Sequence, residues 1–240
     1  MTQTNTKFSI DDTTELHLDI QSGVFVPTAT TTNLINSVKG YISKPGKLLD
    51  LGSGSGVVGI ALSLNKMVDL PLYASDLSEG ALECIIKNCN RYDIPVTAKG
   101  GSLLEPWSGE KFDYIVDDIS GIAEEVAKLS PWFNNVPCVS GVDGTDLTIQ
   151  VLRNAPAHLN VDGLLFFPVI SFSNVDKILD VARENFTNVE LLGREEWPMP
   201  KDMYQHIDVL KRMQQEGHIQ YKDMFGMILC FTDIYVAYNK

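Results

Sequence analysis

The chain is short of positive charge. Lysines and arginines number 19 against 31 aspartates and glutamates, a net charge of −12 over 240 residues. Such a surface repels a phosphate backbone, and no Lys/Arg cluster makes a local exception, so no nucleic-acid partner is expected. Long apolar runs are missing as well: nothing approaches a membrane span, which predicts no membrane partner. The first ten residues have neither a cationic start nor an apolar stretch, so they do not read as a signal peptide, and a cytoplasmic location is expected. Cysteine is scarce. Cys84, Cys89, Cys138 and Cys230 form no CxxC and no cluster with histidine, which predicts reduced, buried thiols and no metal site. Repeats, low-complexity tracts and Pro/Gly-rich linkers are absent, so residues 1–240 read as one domain with a sizeable core. There is no signal for an oligomeric state.

What is present is alternation. After a polar first dozen residues, expected to be poorly ordered, Leu16, Leu18 and Ile20 alternate with polar neighbours as in a half-buried strand. A Thr-rich turn over 28–32 caps a helix through Val38. Strands over 47–51, 72–75, 96–98, 112–116, 164–170 and near 189–192 then alternate with helices over 57–64, 79–92, 145–158 and 174–185. This order implies parallel crossovers and an α/β, Rossmann-like doubly wound sheet. The end differs: residues 227–231 and 234–237 form an apolar stretch with no helix after it, a terminal antiparallel strand. Residues 1–38 are expected to form an N-terminal cover. Residues 197–223, too long for a hairpin turn, are expected to form a helical insertion that acts as a substrate lid.

The sharpest local signal is Asp50-Leu-Gly-Ser-Gly-Ser-Gly56, between a buried strand and a helix. Gly52, Gly54 and Gly56 permit a tight turn and close backbone approach to a ligand. Asp76, at the end of the next strand, is placed to accept both ribose hydroxyls. Residues 54–59 also satisfy the Gly-x-Gly-x-x-Gly dinucleotide fingerprint. Asp50 decides between the two: a carboxylate aimed at the loop repels a pyrophosphate but accepts hydrogen bonds from an ammonium. The expected cofactor is therefore S-adenosylmethionine rather than NAD.

These residues resemble the class I S-adenosylmethionine-dependent methyltransferases. Asp50 to Gly56 resembles their first motif, and Ala74-Ser-Asp-Leu-Ser78 with Ala81, Leu82 and Asn88 their second. The spacing is nearest to the branch containing the release-factor glutamine-N5 methyltransferases. Phe25-x-Pro27-x4-Thr32 resembles the segment closing over the cofactor there, residues 101–106 the third motif, and residues 141–147 a GGxDGLD-like loop. The resemblance implies that Asp50, Gly52, Ser53, Gly54 and Gly56 hold the methionine moiety. It implies Asp76 at the ribose, Leu77 beside the adenine, and Ser102 with Leu103 at its amino group, Ser102 standing where aspartate is usual. Phe25, Pro27 and Thr32 would complete the cofactor site.

That branch carries Asn-Pro-Pro-Tyr after the strand at 112–116; this chain has Asp117-Asp-Ile-Ser120. Either Asp117 or Asp118 orients or deprotonates a nucleophile, with Asp117 also beside the cofactor, or one merely caps a turn while the other is solvated. Trp132, Phe133 and Trp197 either form an aromatic wall or pack under a loop, and Tyr204 sits in the insertion where it could meet substrate. The leading expectation is methyl transfer to a small-molecule amine, hydroxyl or carboxyl. The alternatives are an S-adenosylmethionine-consuming cyclase releasing methylthioadenosine, as in azetidine-carboxylate synthases, a non-catalytic cofactor-binding protein, and an NAD-dependent oxidoreductase.

Overall fold

The computed structural model describes residues 3–11, 14–119, 121–134 and 136–239. It opens with a hairpin of β1 (Gln3–Asp11) and β2 (Thr14–Gln21), with Phe8 opposite Leu16 and Thr4 opposite Ile20. The expectation of a poorly ordered start is corrected here. Phe8 and Ile10 are buried beside Leu16, Leu18 and Ile20. Two apolar residues in a polar segment are too weak a pattern to announce a strand, and the pairing with β2 supplies what the local sequence does not. Fully buried Asn88 fastens the hairpin to the body. Its side chain accepts from the Asp19 amide at 2.8 Å and donates to the carbonyls of Asp19 (3.0 Å) and Ser55 (2.8 Å).

The expected alternation follows. After α1 (Ala29–Tyr41), the elements are β3 (Leu48–Leu51), α2 (Val57–Leu64), β4 (Leu72–Asp76), α3 (Glu79–Arg91), β5 (Val96–Gly100) and β6 (Phe112–Asp117). A short α4 (Glu124–Leu129) leads to α5 (Asp146–His158), β7 (Leu159–Ile170), α6 (Val175–Asn185) and β8 (Asn188–Pro198). The chain closes with α7 (Ile207–Gln215), β9 (Lys222–Met224) and β10 (Met227–Tyr238). The sheet runs β5-β4-β3-β6-β7-β10-β8, with β9 on β10. β3 to β7 are parallel, and β10 inserts antiparallel between β7 and β8. This is the doubly wound sheet with a terminal antiparallel strand that the sequence predicts. The order reverses at β3, so the carboxyl ends of β3, β4 and β6 open onto one crevice.

Residues of α1 to α3 and the hairpin bury one face of the sheet, α5 and α6 the other. A third cluster joins α4 and α7 to Phe172, Met199, Met203 and Ile228. No described helix is long and apolar enough to cross a membrane, and the four cysteines are free thiols.

The turn over 140–145 supports the crevice from below. Ser140 Oγ donates to the Ile122 carbonyl at 2.6 Å, and the Gly141 amide donates to Glu124 Oε1 at 3.0 Å. Gly144 has φ +73°, and a Cβ there would lie 2.6 Å from backbone atoms of Ile122 and Ala123. Gly144→Ala therefore combines left-handed strain with a clash against main chain that cannot rotate away. Thermal denaturation is expected to show a midpoint at least about 4 °C below wild type, corresponding to 1–2 kcal/mol in a domain of this size.

Candidate functional site

The chain turns sharply at the end of β3. Gly52, Gly54 and Gly56 all have positive φ, at +72°, +52° and +81°. At Gly52 a Cβ would fall 2.4 Å from Ile119 Cγ2, so only glycine lets β3 leave the sheet beside the end of β6. The loop's amides point inward. Gly52 and Ser53 both donate to the Ser75 carbonyl at 3.0 Å, and Gly56 donates to the Ser53 carbonyl at 2.7 Å. Gly54 donates to Asp76 Oδ2 at 2.9 Å.

Asp76 is thereby held at both oxygens, since Oδ1 accepts from the Ser78 amide at 2.9 Å. Its plane is fixed and each oxygen keeps a free lone pair. Above the loop lies a cavity of about 600 Å³. Gly52, Gly54 and Asp76 form its floor, and Leu77, Ser102 and Leu103 one end. Leu77 is 77% exposed, an apolar side chain left at the mouth. Leu103 has a strained φ of +48°. Residues 23–25 and 28–31 form one wall, and residues 118, 119, 121 and 122 with 132, 133, 136, 137 and 139 another.

Asp50 does not reach this cavity, which corrects the expectation that its carboxylate faces the ligand. It is fully buried, and Oδ2 accepts the amide of Gly59, one turn into α2, at 2.9 Å. A carboxylate there complements the positive end of the helix. Oδ1 has no partner, and burial, with the Asp76 charge adding, lifts the carboxyl to about 7.

The two adjacent aspartates part company. Asp117 is buried, and Oδ1 accepts the Ile119 amide at 3.0 Å, a turn-capping role that leaves it outside the cavity lining. Burial pushes it to about 7. Asp118 lines the cavity, and Thr31 Oγ1 of α1 donates to its Oδ2 at 3.2 Å. Burial, then the neighbouring Asp50 and Asp117 charges, hold it well above the usual carboxylate range. None of the three has a basic partner among the ion pairs of the described residues, and the cavity lining has no Lys, Arg or His. No group of three His, Cys, Asp or Glu among the described residues is arranged to hold a metal.

Opposite the Leu77 end the cavity is aromatic. Trp132 and Trp197 meet edge to face at 5.6 Å and 85°, and Phe172 sits 5.7 Å from Trp197. Phe25 and Phe133 pair at 5.1 Å. All five rings line the cavity, and Trp197 is oriented by a 3.1 Å bond from Nε1 to Thr232 Oγ1. Sequence reasoning missed Phe172, since nothing marks it apart from core aromatics, and it missed Thr31, one residue before the Thr32 it selected. Phe25 lines the cavity, while Pro27, Thr32, Ser53 and Gly56 do not. Tyr204 is also elsewhere: its hydroxyl accepts the Ile228 amide at 3.0 Å and braces β10. The expected lid is corrected accordingly. Met199, Met203, Leu210 and Met213 of the insertion are buried in the third cluster, and of residues 197–223 Trp197 alone lines the cavity.

These carboxyls predict a direction for stability against pH. In the unfolded chain an aspartate titrates near 3.9, whereas folded Asp50 and Asp117 titrate near 7. Between about pH 4 and 7 the folded state binds more protons, so its stability falls as pH rises through that window. Asp19 and Asp143, where hydrogen bonds from Arg91 and Lys177 outweigh burial, titrate below the usual range and act only at lower pH. Differential scanning calorimetry is expected to give a higher midpoint at pH 5.5 than at pH 8, with a flatter slope for Asp117→Asn. The reverse slope would mean that these carboxyls are ionised in the fold.

Residues 15–118 match the family model of the methyltransferase small domain. The ribosomal protein uL3 glutamine methyltransferase of Bradyrhizobium diazoefficiens is 32% identical over 60% of this chain and 50% of its own length. The release factor glutamine methyltransferase of Geobacter sulfurreducens is 27% identical over 61% and 53%. The chain thus spans about half the length of these curated relatives. Among solved structures, a Thermus thermophilus 16S rRNA N2 G1207 methyltransferase superposes with TM-score 0.66 at 14% identity, over 99% of this chain and 51% of that one. A ribosomal protein L11 methylase from Lactobacillus delbrueckii gives 0.55 at 17%, over 88% and 80%. These names correct the expectation of a small-molecule acceptor and of no nucleic-acid partner, because such proteins act on proteins or RNA. Net charge describes a whole surface, and an acidic total does not define which macromolecule a single crevice admits. The cyclase alternative and a role in small-molecule biosynthesis fall with that expectation. Sheet order and these superpositions show the class I methyltransferase fold, and residues 15–118 are similar to the methyltransferase small domain.

Proposed function

We propose that the protein transfers a methyl group from S-adenosylmethionine to a side chain of a protein. The observation that carries this reading is the polarity of the cavity: two carboxyls, Asp76 and Asp118, and no basic side chain in the lining. Such a site favours a cationic nucleoside and disfavours a diphosphate. The loop amides support the same choice, because Gly52, Ser53, Gly54 and Gly56 donate internally and are not turned toward an anion. A protein acceptor is favoured over RNA because the curated relatives are named for a ribosomal protein and release factors. A cytoplasmic place of action accords with such acceptors.

In this reading Asp76 accepts both ribose hydroxyls with the lone pairs that Gly54 and Ser78 leave free. Leu77 and Leu103 flank the adenine, and Ser102 meets its edge. Segment 23–31 covers the site, and Phe25 closes it from the side. When bound, the cofactor supplies a methyl group on a sulfonium open to in-line attack. Asp118 takes the proton from the acceptor, and Thr31 orients its carboxyl by the 3.2 Å bond. Asp117 holds the turn that aims Asp118 and is a positioning residue.

Calorimetry is expected to show S-adenosylmethionine binding that weakens at least tenfold in Asp76→Ala. Asp118→Asn, whose amide cannot take the proton, is expected to keep affinity within about threefold while slowing S-adenosylhomocysteine formation by about 100-fold or more. With methyl-labelled cofactor and cell extract, the label is expected to be released by protease. Label released only by nuclease, or methylthioadenosine formed without acceptor, would overturn the proposal.

A further inference from the structure

Resting on the methyltransferase reading, we infer that the group entering the aromatic end of the cavity is an amine that arrives as an ammonium, and not a carboxamide. Trp132, Trp197 and Phe172 stand around one end, with Phe25 and Phe133 beside them. The edge-to-face arrangement of Trp132 and Trp197 at 85° leaves a ring face available to a guest, and ring faces attract cations. Of the two carboxyls in the lining, Asp76 is held by Gly54 and Ser78, which leaves Asp118, and no lysine, arginine or histidine of the lining competes for it.

The hydroxyls beside the rings are largely engaged with one another. Thr31 Oγ1 donates to Asp118. Thr30 Oγ1 is bonded to Thr232 Oγ1 at 3.3 Å, which in turn receives the Trp197 indole N–H. A carboxamide among these rings would find a single threonine proton for its carbonyl oxygen, a weaker match than a charged guest makes with a carboxylate and ring faces. An ammonium meets what the pocket offers, a carboxylate and aromatic faces. The sequence agrees, since Asp117-Asp-Ile-Ser120 stands where the amide-methylating branch carries Asn-Pro-Pro-Tyr.

With the sulfonium and ammonium charges beside it favouring its ionised form, Asp118 takes one proton from the ammonium, whose freed lone pair forms the new N–CH3 bond as the C–S bond of the sulfonium breaks. The sulfur leaves as a neutral thioether, and the proton passes from Asp118 to water. A lysine-type side chain or a chain-terminal amine fits this description.

Binding can be read without turnover, because Trp132 and Trp197 are themselves reporters, while Trp107 is buried in the second core cluster, hydrogen-bonded to Ser75, and gives a constant background. The full chain, saturated with S-adenosylhomocysteine, is titrated with N-acetyl-lysine methylamide, its Nε-acetylated form and N-acetyl-glutamine methylamide. The lysine probe is expected to quench saturably and to bind at least tenfold more tightly than either neutral probe. Trp132→Leu is expected to weaken it about tenfold, with Trp197 still reporting, and Trp132→Phe to restore it to within about threefold. Neutral probes binding as well as the lysine probe, or no quenching by the lysine probe at millimolar concentration, would overturn the inference. If calorimetry still shows S-adenosylmethionine binding in that case, the amine assignment alone falls. Loss of that binding would instead remove the reading beneath it.

Discussion

The hydrogen bond from the Gly54 amide to Asp76 Oδ2 is the constraint on which the crevice depends. It ties the loop after β3 to the end of β4, so two turns that could each move separately become one rigid floor. The flanking bonds from Gly52 and Ser53 to the Ser75 carbonyl repeat the tie one residue earlier. Because Asp76 is gripped at both oxygens, it is presented in one orientation before any ligand arrives, which reduces the ordering cost of binding. The price is that the loop cannot offer those amides to an anion, and this separates the turn from the phosphate cradles its glycine spacing imitates.

That distinction was reached in the sequence by a different route. The sequence reads Asp50 as meeting an ammonium directly or through water, yet it lies behind the loop and bonds to Gly59. The preference for a cationic nucleoside survives on other grounds: satisfied loop amides and a lining with carboxyls but no basic group. A carboxylate before a glycine-rich turn reads in sequence as a charge near the ligand. Whether it faces the ligand or the helix behind is a matter of one side-chain direction, which spacing does not encode.

The regular part of the fold was legible because each element carries its own period. β3 is buried throughout over Leu48–Leu51, α2 matches its expected span, and β10 is apolar with nothing after it. β1 was not legible, since its burial depends on β2 and α1 rather than on its own two apolar residues. The aromatic end was half legible. Trp132 and Trp197 could be named, but Phe172 and Phe25 join them only where distant loops cross, Trp132 lying 107 residues after Phe25 and 65 before Trp197. The insertion misled for a physical reason: Met203, Leu210 and Met213 have the spacing of a buried helix face, and they serve packing rather than closure.

The aspartate pair takes its chemistry from side-chain direction, which the sequence does not carry. Successive residues at a strand end point to opposite sides, so Asp117 and Asp118 cannot share a task although they are adjacent. One turns back to cap the chain at Ile119, the other turns outward to the cavity and Thr31. Had the register of the strand slipped by one residue, their places would be exchanged with no change in composition. The sequence supplies two carboxyls at the right edge of the right strand, and the parity of the pleat assigns one to the frame and the other to the crevice.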